Sequence, residues 1–334
     1  MKKILLATTL LASTATVAAA ETGVSISGYG RFGVSHNSSR DDVNADMKTT
    51  VLHSRLRFNI DGTTETDTGV TFGGRMRFQS THGGGVIGHA AQLFASYEGF
   101  RLEVGNTNGA YDSAGLLYNS EMGFEDTSFG DPQASFYGYS NDGAGIDVIV
   151  DPITGEGSGS ANGISPGIGL FASYSMGGVT GRISYTTPDQ TKSLPADAAE
   201  ELAVSFDYAS GPFSVSLGAA QNGGGIDGND IYFVGAAYAI NDVANVGLNY
   251  MDEGDYNGSA AGDNGRTVTL YGNYTMGATT LRAYVANNNN DANATNTAYG
   301  LGADYDLGGA RLSGSIQKGY AKETVADLGV RFDF

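Results

Sequence analysis

From Thr50 to Ile60 the chain reads TVLHSRLRFNI, which puts Leu52, Leu56, Phe58 and Ile60 on one side of an extended segment and His53, Arg55, Arg57 and Asn59 on the other. A period of two marks a β-strand. After a turn at Asp61–Thr68 the pattern resumes, with Val70, Phe72, Met76 and Phe78 on one face and Arg75, Arg77 and Gln79 on the other. The same alternation recurs at Ile26–Val34, at Phe100-Leu102-Val104, at Val179–Tyr185, at Leu202-Val204-Phe206-Tyr208, at Phe213-Val215-Leu217, at Leu281–Val285 and at Leu328-Val330-Phe332-Phe334. One face of each run is apolar and the other polar or ionised.

The connections between these runs fall into two kinds. Tight ones stand at Glu98-Gly99, Asn141–Gly143, Gly177-Gly178, Ser210–Pro212, Asn241-Asp242, Met276–Ala278 and Asp306–Gly309. Long polar ones stand at Ser35–Thr49, Ser80–Gly88, Asp151–Gly167, Pro188–Ala199, Asp252–Gly265 and Asn287–Thr297. Short turns on one rim and long loops on the other are how outer-membrane barrels are built, and closure leaves no unpaired strand edge in lipid. A soluble sandwich also alternates. It does not explain so many strands, an export signal and a terminal aromatic together. The expectation is an all-β, closed antiparallel transmembrane barrel embedded in outer-membrane lipid.

The first twenty residues carry Lys2 and Lys3, an apolar stretch from Ile4 to about Val17, and Ala18-Ala19-Ala20. This is the form of a cleaved secretory signal, so residues 21–334 constitute the predicted barrel. Loss of residues 1–20 removes two lysines and no acid, taking the formal net charge from −18 to −20. Nucleic acid is excluded as a partner by that charge. The absence of cysteine removes disulfides and thiolate-bound metals.

One 27-residue run, Asn106 to Pro132, fits neither strand nor turn. Connections beyond about 12–15 residues without structure of their own are usually functional loops or disorder. Tyr111, Leu116, Leu117, Tyr118, Met122, Phe124 and Phe129 are too much apolar surface for a solvated coil. The run also holds Asp112, Glu121, Glu125, Asp126 and Asp131 and no Lys or Arg. It is expected to fold into the barrel as 106–132, narrow the pore, and oppose a basic wall made by Arg31, Arg55, Arg57, Arg75 and Arg77. A turn centred near Thr64-Glu65 would place Arg57 beside Arg75 and Arg55 beside Arg77. Opposed rows of charge in a confined aqueous gap orient dipolar solutes and sort ions.

Other motifs carry less. Gly28-Tyr29-Gly30-Arg31-Phe32-Gly33 matches a nucleotide-binding glycine pattern but lies in a strand with no helix after it. His53 and Ser54, adjacent in a strand, point to opposite faces and cannot form a nucleophile–base pair. No positioned catalytic set is present, so the expectation is a channel and not an enzyme. The histidines show no metal-ligand spacing and no cofactor is expected, although Asp41-Asp42 and Asp252-Glu253-Gly254-Asp255 offer oxygen ligands suited to Ca²⁺. The remaining alternative is a structural or adhesive barrel with a plugged interior.

The stretches SRLRFNIDGTTETDTGVTFGGRMRF at Ser54–Phe78, FASYEGFRLEVGN at Phe94–Asn106, AYGLGADYDLGG and the C-terminal TVADLGVRFDF resemble the trimeric general-diffusion porins of Gram-negative bacteria, in their alphaproteobacterial form. That resemblance implies sixteen strands, a homotrimer in which Ser80–Gly88 reaches a neighbouring barrel, and an inward-folded loop after the fifth strand, the position of 106–132. Pairing every candidate run, Ala134–Ser140 and Ala144–Val150 included, gives eighteen strands instead. The implied function is passive diffusion of small hydrophilic solutes and ions. Acid-rich loops around the mouth, offset by the arginines, predict weak cation selectivity.

Overall fold

The structure, a computed structural model, describes residues 23–40, 47–82, 84–139, 149–150, 157–158, 166–188, 193, 198–255 and 262–334. The predicted signal peptide, residues 1–20, lies outside them. Sixteen strands form the staves of one barrel. They are β1 (Gly23–Asn37), β2 (Thr50–Glu65), β3 (Thr71–Thr81), β4 (Gln92–Tyr97), β5 (Phe100–Gly105), β6 (Pro166–Met176), β7 (Val179–Pro188) and β8 (Glu201–Ser210). The second half comprises β9 (Phe213–Gln221), β10 (Ile231–Asn241), β11 (Ala244–Asp252), β12 (Arg266–Met276), β13 (Thr279–Asn288), β14 (Thr297–Asp306), β15 (Arg311–Lys318) and β16 (Thr324–Asp333). Each pairs antiparallel with its sequence neighbours, and a two-residue strand, Ile87–Gly88, adds to the edge of β3.

Closure is made between β1 and β16, in a register that sets Gly30 opposite Phe332 and Arg31 opposite Arg331. Gly28 and Phe334 exchange both backbone hydrogen bonds, at 2.8 and 3.0 Å. The glycine-rich motif of β1 is a packing device: a Cβ on Gly30 would lie 2.4 Å from the Phe332 ring. Smallness at the seam lets the C-terminal aromatics lie flat across β1.

Connections alternate strictly around the barrel. Turns of two to five residues after the even-numbered strands define one rim, as at Gly177-Gly178, where φ values of 59° and 84° suit a tight hairpin. The remaining connections, all longer except the five-residue one between β15 and β16, define the other. Eighteen strands were one hairpin too many. Residues 134–139 carry no ladder and lie inside the barrel, while 140–148 fall outside the described residues; only Ile149–Val150 forms a short pair, with Gly157–Ser158.

The apolar positions of the alternating pattern face outward. On β8, Leu202, Val204, Phe206 and Tyr208 are exposed while Glu201, Ala203, Ser205 and Asp207 point in. In water this would be an inside-out protein. In lipid the exposed band is the solvated face.

The hydrophobic core lies within the lumen, under the long loop after β5. Tyr111, Leu116, Leu117, Met122 and Phe124 are all but fully buried. One cluster packs Ala110, Tyr111, Ala114, Leu116 and Leu117 against Phe171, Ala203, Ala220, Phe233 and Met251 of β6, β8, β9, β10 and β11. A second packs Met122 against Tyr271, Tyr284, Ala286 and Ala298 of β12, β13 and β14. Inward alanines leave room for the loop's larger side chains. Each such side chain contributes about 1.5–3 kcal/mol to docking. The loop's apolar face packs on β6–β14, and its tip crosses to β15, β16, β1 and β2.

Candidate functional site

Backbone polarity fixes where the loop lies. Ala110 N donates to Ser184 Oγ at 2.8 Å, Gly115 N to Asp207 Oδ1 at 2.9 Å and Phe129 N to the Tyr284 hydroxyl at 3.0 Å. The carbonyls of Leu116 and Gly130 accept from Asn249 Nδ2 and Thr269 Oγ1, both at 2.8 Å. Inward polar side chains on five strands therefore satisfy a segment that has no ladder of its own. The excursion closes on itself where Gly109 N meets Gly138 O at 2.9 Å, so the docked segment continues past Pro132 to Tyr139. Two buried glutamates hold that tail. Glu201 Oε2 accepts from Tyr137 N and Gly224 N at 2.8 Å, and Glu253 Oε2 accepts from Gln133 N and Ala134 N at 2.9 Å.

The loop tip meets the wall at Gly123–Asp126. Gly123 has φ 79° and leaves no room for a side chain, since a Cβ there would lie 2.1 Å from the Asp327 carboxylate. Asp126 is also left-handed, with φ 53°. This turn sends consecutive acids in different directions. Glu125 is buried and pairs with His53 Nδ1 at 2.5 Å, and its carbonyl accepts from Arg31 Nη1 at 2.6 Å. Asp126 faces the lumen between Arg311, at 2.6 Å, and Arg331.

Strand register then builds the wall. Arg311 lies opposite Arg331, Arg331 opposite Arg31, and Arg31 opposite Arg55, a row of four arginines on β15, β16, β1 and β2. Like charges directly across strands destabilise a sheet, and Asp126 offsets two of these four. Between the loop edge and the wall opens a cavity of about 1140 Å³ that reaches the short-turn rim at Gly211, Ala239 and Asp306. Asp112, Glu121 and Asp126 line it on one side and Arg282, Arg311 and Arg331 on the other. Burial, reinforced by the neighbouring Asp131, pushes the Glu121 carboxyl well above its ordinary value. Asp126, on the same loop edge, is held between the guanidinium groups of Arg311 and Arg331.

A barrel of sixteen staves, an inward loop and a polar lumen accord with the chain's sequence similarity: the model of the Gram-negative porin family matches residues 7–323. This chain belongs to that family. It is 45% identical over 315 residues to a porin of Fuscovulum blasticum and 30% identical over 335 residues to a porin of Rhodobacter capsulatus, covering 93% of this chain and all of each relative. Solved structures of engineered Rh. blastica porins superpose with a TM-score of 0.80 at 43% identity, again covering 93% of this chain and all of theirs. It is an outer-membrane porin, and the family is one of channels.

Within this porin several sequence expectations change. The β2–β3 turn is centred four residues nearer β3, at Thr66–Val70, so Arg57 lies opposite Gln79 and Arg55 opposite Thr81. Arg75 lies opposite Asp61 and pairs with it at 2.7 Å, and Arg77 lies opposite Asn59. The arginines therefore do not face one another across this hairpin. Polar Asp61–Glu65, read as turn, extends the strand instead. Of the acids assigned to the loop edge, Glu125 and Asp131 are buried; Asp131 Oδ1 accepts from Ser120 Oγ at 2.8 Å. Arg31 and Arg77 are buried on the wall.

Arg282, Arg311 and Arg331 escaped the sequence reading as wall residues. Their signal was inward parity on strands far from β1 in sequence, legible only once closure and register are known. Of the loops suited to Ca²⁺, Asp41-Asp42 lies outside the described residues. Asp252 pairs with Arg266 at 3.1 Å, and Glu253 is committed to the loop backbone. Among the described residues no three acidic or histidine side chains converge on one point.

Proposed function

We propose that this porin forms a water-filled channel for passive diffusion of small hydrophilic solutes and ions, with 106–132 and its continuation to Tyr139 as the constriction and weak preference for cations. The cavity between the acidic loop edge and the arginine row carries this reading, because it joins the constriction level to the short-turn rim. Barrels of this strand number are too wide to be filled by wall side chains alone. Cations gather at the mouth under the chain's net negative charge. At physiological salt the Debye length is about 8 Å, so the mouth charges act over a short range and the narrow level moderates the preference. Liposomes containing the protein are expected to swell in sugar solutions, and planar bilayers to show conductance steps. Absence of both supports the plugged structural barrel instead.

The assembly read from the family resemblance is a homotrimer exported behind a cleaved signal at residues 1–20. Closed symmetry is the norm for homo-oligomers. Unboiled protein in detergent is expected to migrate at three times the barrel mass and to collapse to one on boiling. Migration as a monomer under every mild condition contradicts the trimer.

A further inference from the structure

Arginines in this barrel ordinarily meet carboxylates. Arg75, Arg101, Arg182, Arg266, Arg282, Arg311 and Arg331 each have an acidic partner. Arg31 and Arg40 donate to backbone carbonyls, and Arg55, Arg57 and Arg77 differ from all of these in donating to neutral side chains. Arg55 Nη1 donates to the Tyr29 hydroxyl at 3.4 Å and Arg57 Nε to Gln79 Oε1 at 2.7 Å. Arg77 Nε donates to Asn59 Oδ1 at 3.3 Å and its Nη2 to the Tyr139 hydroxyl at 3.0 Å. Two further donors, Arg55 Nε and Arg77 Nη1, are buried with no acceptor, and Arg77 is only 9% exposed. A buried donor without an acceptor is destabilising, and more so on a charged group.

These three guanidinium groups form one cluster. Arg55 and Arg57 are successive inward residues of β2. Because Arg57 lies opposite Gln79 and Arg77 opposite Asn59, Arg77 stands diagonal to Arg57 at about 7–8 Å between backbones, within reach of long side chains. Aromatic rings brace them: Arg57 lies 5.3 Å from the Tyr29 ring centre and Arg77 lies 4.4 Å from that of Tyr139. Three positive charges are thus held rigidly with no carboxylate to offset them. Each tyrosine hydroxyl that accepts from an arginine keeps its own hydrogen to donate onward.

We propose that Arg55, Arg57 and Arg77, with the hydroxyls of Tyr29 and Tyr139, form a binding site for a small oxyanion of the phosphate class inside the pore. The guanidinium fork matches two oxygens on one central atom, which a spherical halide does not offer. Neutral acceptors orient the forks without consuming their charge. The site gives multiply charged oxyanions a foothold in a lumen whose mouth repels them, and it deepens the channel reading, on which it rests.

Conductance in potassium phosphate at neutral pH is expected to saturate with concentration, while conductance in KCl rises in proportion. Phosphate added to KCl is expected to reduce the chloride current. In the double variant Arg57→Gln/Arg77→Gln the saturating concentration is expected to rise about tenfold or more. Because Arg77 is buried, Arg57→Lys serves as a second variant that keeps charge and loses the fork; it is expected to weaken phosphate saturation by more than it alters KCl conductance. Proportional conductance in both salts, or saturation untouched in both variants, overturns the site and leaves the channel reading standing. A protein that conducts neither salt overturns both.

Discussion

Channels carrying Asp126→Asn are expected to shift toward anions by about fivefold in permeability ratio. Asp126 is the acceptor shared by Arg311, at 2.6 Å, and Arg331, two side chains that register places directly opposite one another. Removing its charge leaves Arg311 with Asp304 at 4.0 Å and Arg331 with Asp333 at 3.9 Å, both longer contacts, as the two guanidinium groups face the cavity they line. A unit charge about 4 Å from a permeating ion is worth about 1 kcal/mol in bulk water and more beside protein, and about 1.4 kcal/mol is tenfold. Arg331→Gln is expected to act in the opposite sense. Glu121→Gln is expected to change less than Asp126→Asn, since Glu121 holds its proton more tightly than an exposed acid. Glu125→Gln is expected to act through the loop's seating, because Glu125 is buried against His53. Reversal potentials in a salt gradient decide the matter. If Asp126→Asn leaves the wild-type potential, the loop edge does not border the ion path.

Loop docking is expected to weaken as pH rises from about 5 to about 7, and Glu253→Gln is expected to reduce that dependence, the buried Glu201 holding the same tail through Tyr137 N. Burial pushes the Glu253 carboxyl from 4.5 up to about 7, against the opposing pull of bonds from Thr267, Gln133 N and Ala134 N. A docked state that raises a carboxyl's pKa binds protons more tightly than an undocked one with Glu253 in water. Docking is therefore strongest below pH 4.5, declines through the window up to about 7 and is level above it. The loss across the window is about 3 kcal/mol. A glutamine at this position is neutral, and its amide oxygen still accepts from the two loop N–H groups. Proteolysis within residues 130–139 of the detergent-solubilised protein measures this. Wild type is expected to be cut faster at pH 8 than at pH 5, and Glu253→Gln to show a smaller difference between the two. A flat wild-type profile sinks the assignment.

Alternation, together with the number of strands, the export signal and the terminal aromatic, determined the barrel. Leu52, Leu56, Phe58 and Ile60 could only face one medium and His53, Arg55, Arg57 and Asn59 another, because a strand has two faces and no third. The same logic marked Asn106–Pro132, since a run rich in both aromatics and acids belongs neither to lipid nor to open water. Register was not written locally. Asp61–Glu65 is as polar as a turn, and it became strand because the sheet supplies ladder partners that a single sequence does not display. A slip of four residues kept every side chain on its face and changed every neighbour, exchanging an expected Arg57–Arg75 contact for Arg75–Asp61. Closure was more remote still: Arg31 and Arg331 are opposite only because β1 meets β16. The loop's acids had one composition and two fates. Left-handed backbone at Gly123 and Asp126 turned Glu125 into the wall and Asp126 toward the water, a division that composition cannot express and that packing against β1, β2 and β16 imposes.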